Sequence, residues 1–166
     1  MPDDPAKLHP TVARVVAAAA RAGLAIEVQR FPEGTRTAAD AARAVGCDVA
    51  QIVKSLVFIV DDRPVVALVS GANRVDLEKL ATAVGGSTAR RADGDEARAA
   101  TGFAIGGVPP FGHQVGTTIL IDRDLESHEV VWAAAGLPDA VFALRPDDLV
   151  RASRGTVADL AEASAG

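Results

Sequence analysis

The chain has 166 residues, a formal net charge of −5, and 49% hydrophobic against 23% charged residues, which fits one globular α/β-sized domain and excludes a disordered polymer. A single cysteine, Cys47, excludes an intramolecular disulfide or a cysteine cluster for zinc. The acidic balance, with 4% aromatic residues and no tyrosine, disfavours broad duplex nucleic-acid binding and a single-strand stacking platform.

Met1–Lys7 is acidic and contains proline, so no secretory leader is expected, and the alanine-rich run Val12–Ala20 is too short and too charged to span a bilayer. The expected location is the cytoplasm. Pro10–Ala22 predicts a helix from the spacing of Val12, Val15, Val16 and Ala19, with Gly23 beyond its end. Ala25–Arg30 alternates as a strand that stops at Pro32. Thr37–Val45 predicts a helix closed by Gly46, with Thr35 or Thr37 as its cap. Ile52–Val60 and Pro64–Ser70 predict two apolar strands joined at Asp61-Asp62-Arg63. Asp76–Val84 predicts a helix ended by Gly85-Gly86, and Ala92–Thr101 another, with Asp93 and Glu96 at capping-box spacing. Thr117–Ile121, Val130–Ala134 and Ala140–Leu144 predict strands; Pro146–Arg151 and Thr156–Ala163 predict helices. The short links between strands favour antiparallel pairing. The expectation is one mixed α/β domain over 1–166, with six or seven strands, a mostly antiparallel sheet and surrounding helices.

Lys54 is the residue that departs most from its surroundings. It is one of three lysines against fourteen arginines, set inside the apolar strand QIVKSLVFIV. A buried ammonium needs a partner, loses its proton or reaches a cleft; the competing reading is an edge-strand lysine with its head in water. A regular strand sends Ser55 to the opposite face. The loop Gly106-Gly107-Val108-Pro109-Pro110-Phe111-Gly112-His113 is stiffened by proline and opened by glycine, so backbone can approach a ligand. The amides of Ser70-Gly71-Ala72-Asn73 precede a helix and could face an anion or serve as plain capping. His9, His113 and His128 show no metal-ligand spacing, and the chain has no HExxH, GxSxG, GxGxxG or P-loop motif. No metal and no organic cofactor are expected.

The motifs QIVKSLVF, VVALVSGANRVDLEKLA, TGFAIGGVPPFGH, ILID and VVWAAAG, in that order, resemble the YbaK-like aminoacyl-tRNA deacylases, a group that includes the editing domain inserted in bacterial prolyl-tRNA synthetases. The resemblance spans about residues 24–152. It implies a mixed sheet curled into a partly closed barrel, and hydrolysis in trans of the ester between a wrong amino acid and the 3′-terminal ribose of tRNA. It assigns Lys54 and Gly107 to the catalytic set: the lysine holds the substrate's 3′ end, and the Gly106–Gly107 backbone faces the ester and a water. Ser55, Phe111 and Gly112 would line or shape the pocket with Gly71 and His113, Ala134 to Gly136 would form the opposite wall, Phe31 would meet the terminal adenine, and Asp122 would be structural. The implied partners are the CCA end of aminoacyl-tRNA, with tRNA(Pro) as the expected substrate, and prolyl-tRNA synthetase, with no membrane and no DNA.

Alanine-specific relatives carry asparagine after the lysine and a histidine near position 134. Here Ser55 and Ala133-Ala134-Ala135-Gly136 leave cysteine, serine, threonine and small non-protein amino acids open as the residue removed. Two rival expectations are a non-catalytic module that binds a tRNA end or a synthetase, and an esterase built on Ser55 and His113.

Overall fold

The computed structural model describes residues 8–31, 37–114 and 116–163. Pro10–Arg21 forms α1, with Pro10 in the first turn and the His9 ring accepting the Thr11 N–H at 3.1 Å. Its apolar positions Val12, Val15, Ala18 and Ala19 are buried, one face of a 3.6-residue period. After β1 (Val28–Arg30), α2 (Ala38–Val45) starts at Thr37, whose hydroxyl accepts the Asp40 N–H at 3.0 Å, and ends at Gly46 with φ 78°. The alternative cap Thr35 and the stop at Pro32 lie outside the described residues.

Strands β2 (Val53–Val60) and β3 (Arg63–Ser70) form a regular hairpin, Val60 opposite Arg63 and Val53 opposite Ser70. Its two-residue turn places Asp61 and Asp62 at φ 47° and 69°, the left-handed pair that matches the twist of a hairpin and that aspartate tolerates. The Asp61 carboxylate then accepts the Ser87 and Thr88 N–H groups at 2.8 and 2.9 Å. That bond steers the chain leaving α3 (Leu77–Ala83) into a short strand, β4 (Ala89–Arg91), along the far half of β2. The segment expected only to link two helices therefore contains a strand. The capping box opening α4 (Gly94–Thr101) is present in full, Asp93 and Glu96 bonding reciprocally to each other's N–H. A bidentate contact from Arg90 holds the Glu96 carboxyl down to about 2.

The remaining elements are β5 (Thr118–Asp122), a 3-10 turn over Arg123–Ser127, β6 (Val131–Ala134), β7 (Ala140–Leu144), α5 (Pro146–Ser153) and β8 (Thr156–Ala158). They build two sheets, one in the order β4-β2-β3-β5-β8 and one in the order β1-β7-β6. Pairing is antiparallel except for β3 with β5 and β5 with β8. The sheets meet at one parallel bridge, Ile52 to Trp132. The mixed, mostly antiparallel sheet is as expected; the strands described do not close into a barrel.

The larger sheet is buried on both faces. Val53, Val57, Val66, Leu68 and Ile121 enter a core shared with α1 and the smaller sheet. Phe58, Val60, Val65, Ala67, Val69 and Leu120 enter a second core with Leu80, Ala81 and Leu160. The second core corrects the expected helix over Thr156–Ala163: this segment is extended, pairs Thr156–Ala158 with Leu120–Asp122, and drives Leu160 to complete burial. Gly155 permits the approach, because a Cβ there would meet Ile121 at 2.8 Å. With these strands the described residues hold eight, against the six or seven expected.

If Leu160 closes that core, Leu160→Ala should lower the free energy of unfolding by about 2–5 kcal/mol, measured by urea denaturation. A loss under about 0.5 kcal/mol, the range of surface substitutions, would mean the terminal segment does not pack.

Candidate functional site

The two ends of β2 differ. Strand β4 covers it only at Phe58–Val60, so Val53–Val57 has a ladder partner on the β3 side alone. The Val57 carbonyl accepts the Ala92 N–H at 3.0 Å on the β4 side. Alternate residues of an antiparallel strand turn their N–H and C=O the same way, so the backbone groups of Ser55 face this open edge. The edge borders a cavity of about 270 Å³. Lys54, Ser55 and their strand neighbours line it on one side; Thr37, Ala38 and Ala41 of α2, Trp132 to Ala134 of β6, and Ile105, Gly106 and Val108 complete it.

Lys54 is half-buried, and its Nζ donates to the Asn73 carbonyl at 2.5 Å. The reading of an edge lysine with its head wholly in water is thus replaced by a held ammonium. Asn73 is itself held: its side-chain amide donates to Asp122 and Asp124, both at 2.8 Å. Asp122 is completely buried and also accepts the Ser70 N–H at 3.1 Å and the Asp124 N–H at 3.0 Å. Burial pushes the Lys54 pKa below the usual lysine range, and Arg74 and Arg91 push it the same way, while Asp122 pulls it back. Among the described residues none of these three cations has a carboxylate within ion-pair distance. Arg91 lines the cavity and lies over the Phe58 ring, 5.6 Å from its centroid.

Of the residues singled out from sequence, Lys54, Ser55, Gly106 and Ala134 come together around the cavity. The others lie behind it or beside it. Gly107 donates its N–H to the Ala104 carbonyl at 3.0 Å, and a Cβ on it would meet the Gly136 carbonyl oxygen at 2.6 Å, so this glycine lets two loops touch backbone to backbone. Phe111 is buried against Phe142, ring centroids 5.8 Å apart, and Gly112 packs near Ala18. The His113 ring spans its own loop, Nε2 to the Pro109 carbonyl and Nδ1 to the Thr117 hydroxyl, each at 2.7 Å. A carbonyl can only accept, so Nε2 carries the proton and Nδ1 accepts from Thr117. Burial lowers the pKa of this ring. With both nitrogens engaged and no hydrogen bond to the Ser55 hydroxyl, the Ser55–His113 pairing of an esterase is not formed.

The amides after β3 are also used internally. Gly71 N–H donates to the Ile52 carbonyl at 2.7 Å and Asn73 N–H to the Ser70 carbonyl at 2.9 Å. Phe31 is partly exposed, its N–H on the Asp139 carbonyl at 2.8 Å, and does not line the cavity. Sequence reasoning missed Arg91, Trp132 and the α2 wall. An Arg90-Arg91 doublet was a visible signal for the first; the others are brought in by tertiary packing alone. Among the described residues no three histidine, cysteine or acidic side chains group as metal ligands would, and no helix is long and apolar enough to cross a membrane.

Comparison with known proteins places this geometry. The family model of the aminoacyl-tRNA editing domain matches residues 32–152. A crystal structure described as a candidate trans-editing enzyme for prolyl-tRNA synthetase superposes with a TM-score of 0.89 at 46% identity, covering 95% of this chain and 100% of that one. A protein of Enterococcus faecalis named as a candidate Cys-tRNA(Pro)/Cys-tRNA(Cys) deacylase, EbsC, is 26% identical over 131 residues, 78% of this chain and 80% of its own. The proline–tRNA ligase of Ligilactobacillus salivarius is 34% identical over 91 residues, 55% of this chain and 16% of the ligase.

Removing the Asp122 carboxylate should strand the buried Ser70 N–H and release Asn73. Asp122→Ala removes the acceptor of three hydrogen bonds, from the Ser70 and Asp124 N–H groups and the Asn73 side chain, and is expected to cost at least about 2–4 kcal/mol of stability, read by thermal or urea unfolding. An unchanged melting transition would remove Asp122 from its role as the brace of the Lys54 anchor.

Proposed function

The chain belongs to the aminoacyl-tRNA editing-domain family, and we propose that it is a trans-acting aminoacyl-tRNA deacylase that hydrolyses the ester joining a small wrong amino acid to the 3′-terminal ribose of tRNA, with tRNA(Pro) as its substrate. The observation that carries the reading is the ammonium of Lys54, held on the Asn73 carbonyl at the mouth of a small cavity and flanked by two arginines. A cluster of cations with no carboxylate partner among the described residues, in a chain of net charge −5, suits one phosphate group or one nucleotide end rather than a long stretch of duplex. The cavity, at about 270 Å³, lies just under the range of roughly 300–1,000 Å³ for pockets of drug-sized ligands, which supports a small acyl group as its occupant.

In this reading Lys54, helped by Arg91, fixes the phosphate or ribose of the CCA end. The aminoacyl group enters between β2 and β6, with Ala134 on its far wall. Gly106, beside Gly107, offers backbone to the ester and its water, and Phe111, Gly112, His113 and Gly136 hold that loop in one shape. Phe31 and Gly71 would meet the substrate only outside the cavity proper, Phe31 at the adenine. The wedge between the two sheets is the mouth of the partly closed barrel that the resemblance implies.

Among the described residues, no carboxylate or imidazole lines the cavity. Hydrolysis then proceeds with help from the substrate: the neighbouring ribose hydroxyl orients a water, the water oxygen bonds to the ester carbonyl carbon, and the ester C–O bond breaks as the ribose oxygen takes a proton. The products are the free amino acid and intact tRNA. The protein's share is orientation and fixed dipoles, which can supply much of a rate enhancement. Prolyl-tRNA synthetase would serve as a partner that supplies tRNA affinity, and the cytoplasm as the place of action.

Lys54→Ala is expected to lower single-turnover deacylation about a hundred-fold or more, with a melting transition close to wild type. A folded variant that kept full activity would sink the anchor, and a wild type inert on every mischarged tRNA while still binding tRNA would leave a binding module in its place. A pH series tests the electrostatics. Because the Lys54 pKa is lowered, the folded chain loses this proton before a free lysine does; tRNA affinity should fall as pH rises through that lowered pKa, while stability gains slightly over the same window. Arg74→Gln removes a like charge and should move the inflection to higher pH; no movement would mean that Lys54 does not set it.

A further inference from the structure

Ser55 breaks the rule of its own strand. Alternation puts Val53, Ser55 and Val57 on one face of β2, and both valines belong to the main core with Val108 and Ala133, which also line the cavity. A third valine there would complete the face. The serine instead carries a buried hydroxyl with no hydrogen-bond partner, alone in this among the described side chains. The fully buried Ser70 shows the usual outcome, its hydroxyl donating to the Ala50 carbonyl at 2.7 Å. Lys54 and Arg91, the charged groups of the cavity, serve a different part of it: Lys54 leaves the opposite face of β2, and Arg91 is exposed. Thr37, the other hydroxyl of the lining, already accepts the Asp40 N–H at 3.0 Å, so Ser55 Oγ is the lining hydroxyl with no hydrogen bond among the described residues.

We infer that Ser55 selects the amino acid to be removed, and that the preferred acyl group is a small one with a hydroxyl on its β-carbon, serine or threonine. The inference rests on the deacylase reading above. A hydroxyl both donates and accepts, so it pairs with Ser55 Oγ whichever way that rotor is turned. Alanine leaves Oγ unpaired, and a site that holds a polar group for its ligand rejects the analogue lacking it. A thiol is a weak donor and a weak acceptor, so cysteine ranks between the two. This order differs from the cysteinyl substrate for which the Enterococcus faecalis relative is named. The α-amino group is the competing partner for Oγ; being common to every amino acid, it would confer no choice among them.

The test is single-turnover deacylation of one tRNA carrying serine, threonine, cysteine or alanine, by wild type and by Ser55→Ala. Binding of non-hydrolysable 3′-amide analogues of seryl- and alanyl-adenosine is measured alongside by calorimetry. The expected result is that the seryl or threonyl ester is cleaved about ten-fold or more faster than the alanyl ester, that the seryl analogue binds more tightly than the alanyl one, and that Ser55→Ala brings both ratios to near unity through a loss on the hydroxyl-bearing species. Equal rates and equal binding in wild type, or a Ser55→Ala variant that slows every ester alike, would overturn the inference while leaving deacylation in place. Preferential binding of the seryl analogue without turnover of any ester would do the reverse: the selectivity would stand and the deacylase reading would fall. Since Ser55→Ala deletes an unsatisfied hydroxyl, it should fold; a melting curve on each variant checks this, and Ser55→Thr, which keeps the hydroxyl, should retain the preference for a hydroxyl-bearing ester.

Discussion

Everything at this site follows from an unfinished ladder. β2 is paired along its whole length on one side and along Phe58–Val60 on the other, so within Val53–Val57 the backbone groups that alternate toward the open side, those of Ser55 above all, face a space instead of a strand. An exposed edge of this kind normally invites another chain to pair with it. Here α2 and β6 stand in front of it, which leaves room for a small ligand and none for a strand. The edge has been turned from a hazard into a surface with fixed dipoles, and Lys54 is placed on the stretch where they are unpaired.

A lysine in that position needs a reason to stay charged. Burial and two neighbouring arginines work against the proton, and one neutral carbonyl, that of Asn73, is its direct partner. The carboxylate that offsets the cluster, Asp122, is one residue removed: it binds the Asn73 side chain instead of the ammonium. An ion pair made directly with Lys54 would neutralise the charge that, in the proposed reading, meets a phosphate. A carboxylate acting through Asn73 fixes the position of the lysine and leaves its charge available. The arrangement is local, which is how an acidic chain can carry a cationic mouth; beyond about 8–10 Å such fields are screened at ordinary salt.

What the sequence made legible was local chemistry. The caps at Thr37 and Asp93, the glycine stop at Gly46 and the β2–β3 hairpin were readable because each is decided by a few adjacent residues. The strands β4 and β8 were not: each has three residues, no periodicity of its own, and a partner fixed by distant chain. Thr156–Ala163 predicts a helix, but burial of its Leu160 in the core that β5 and α3 share overrides local propensity. For the site, Lys54 stood out because a charge in an apolar run is a local anomaly. The loop at 101–113 was also visible, though its glycines carry different duties: Gly106 borders the cavity, while Gly107 lets the Gly136 backbone come close. His113 shows how little a lone histidine reveals, since only its bonds to Pro109 and Thr117 turn it from a candidate base into a brace.

The division of labour across β2 explains how one strand can serve both affinity and choice. Period-two alternation sends Lys54 to one face and Ser55 to the other, and the open edge lets both border one cavity. A bulge that brought the two side chains to the same face would put a charge beside the acyl group and remove the apolar wall against which a single hydroxyl can discriminate. Regular geometry therefore matters more here than a strained one would. In the proposed reading the charge would meet the part of the substrate that every tRNA shares, and the hydroxyl the part that differs. On that reading neither residue has to do acid–base chemistry, which is consistent with a cavity lined, among the described residues, by no carboxylate or imidazole: the ester would supply its own neighbouring hydroxyl, and the protein's task would reduce to deciding which esters are held still.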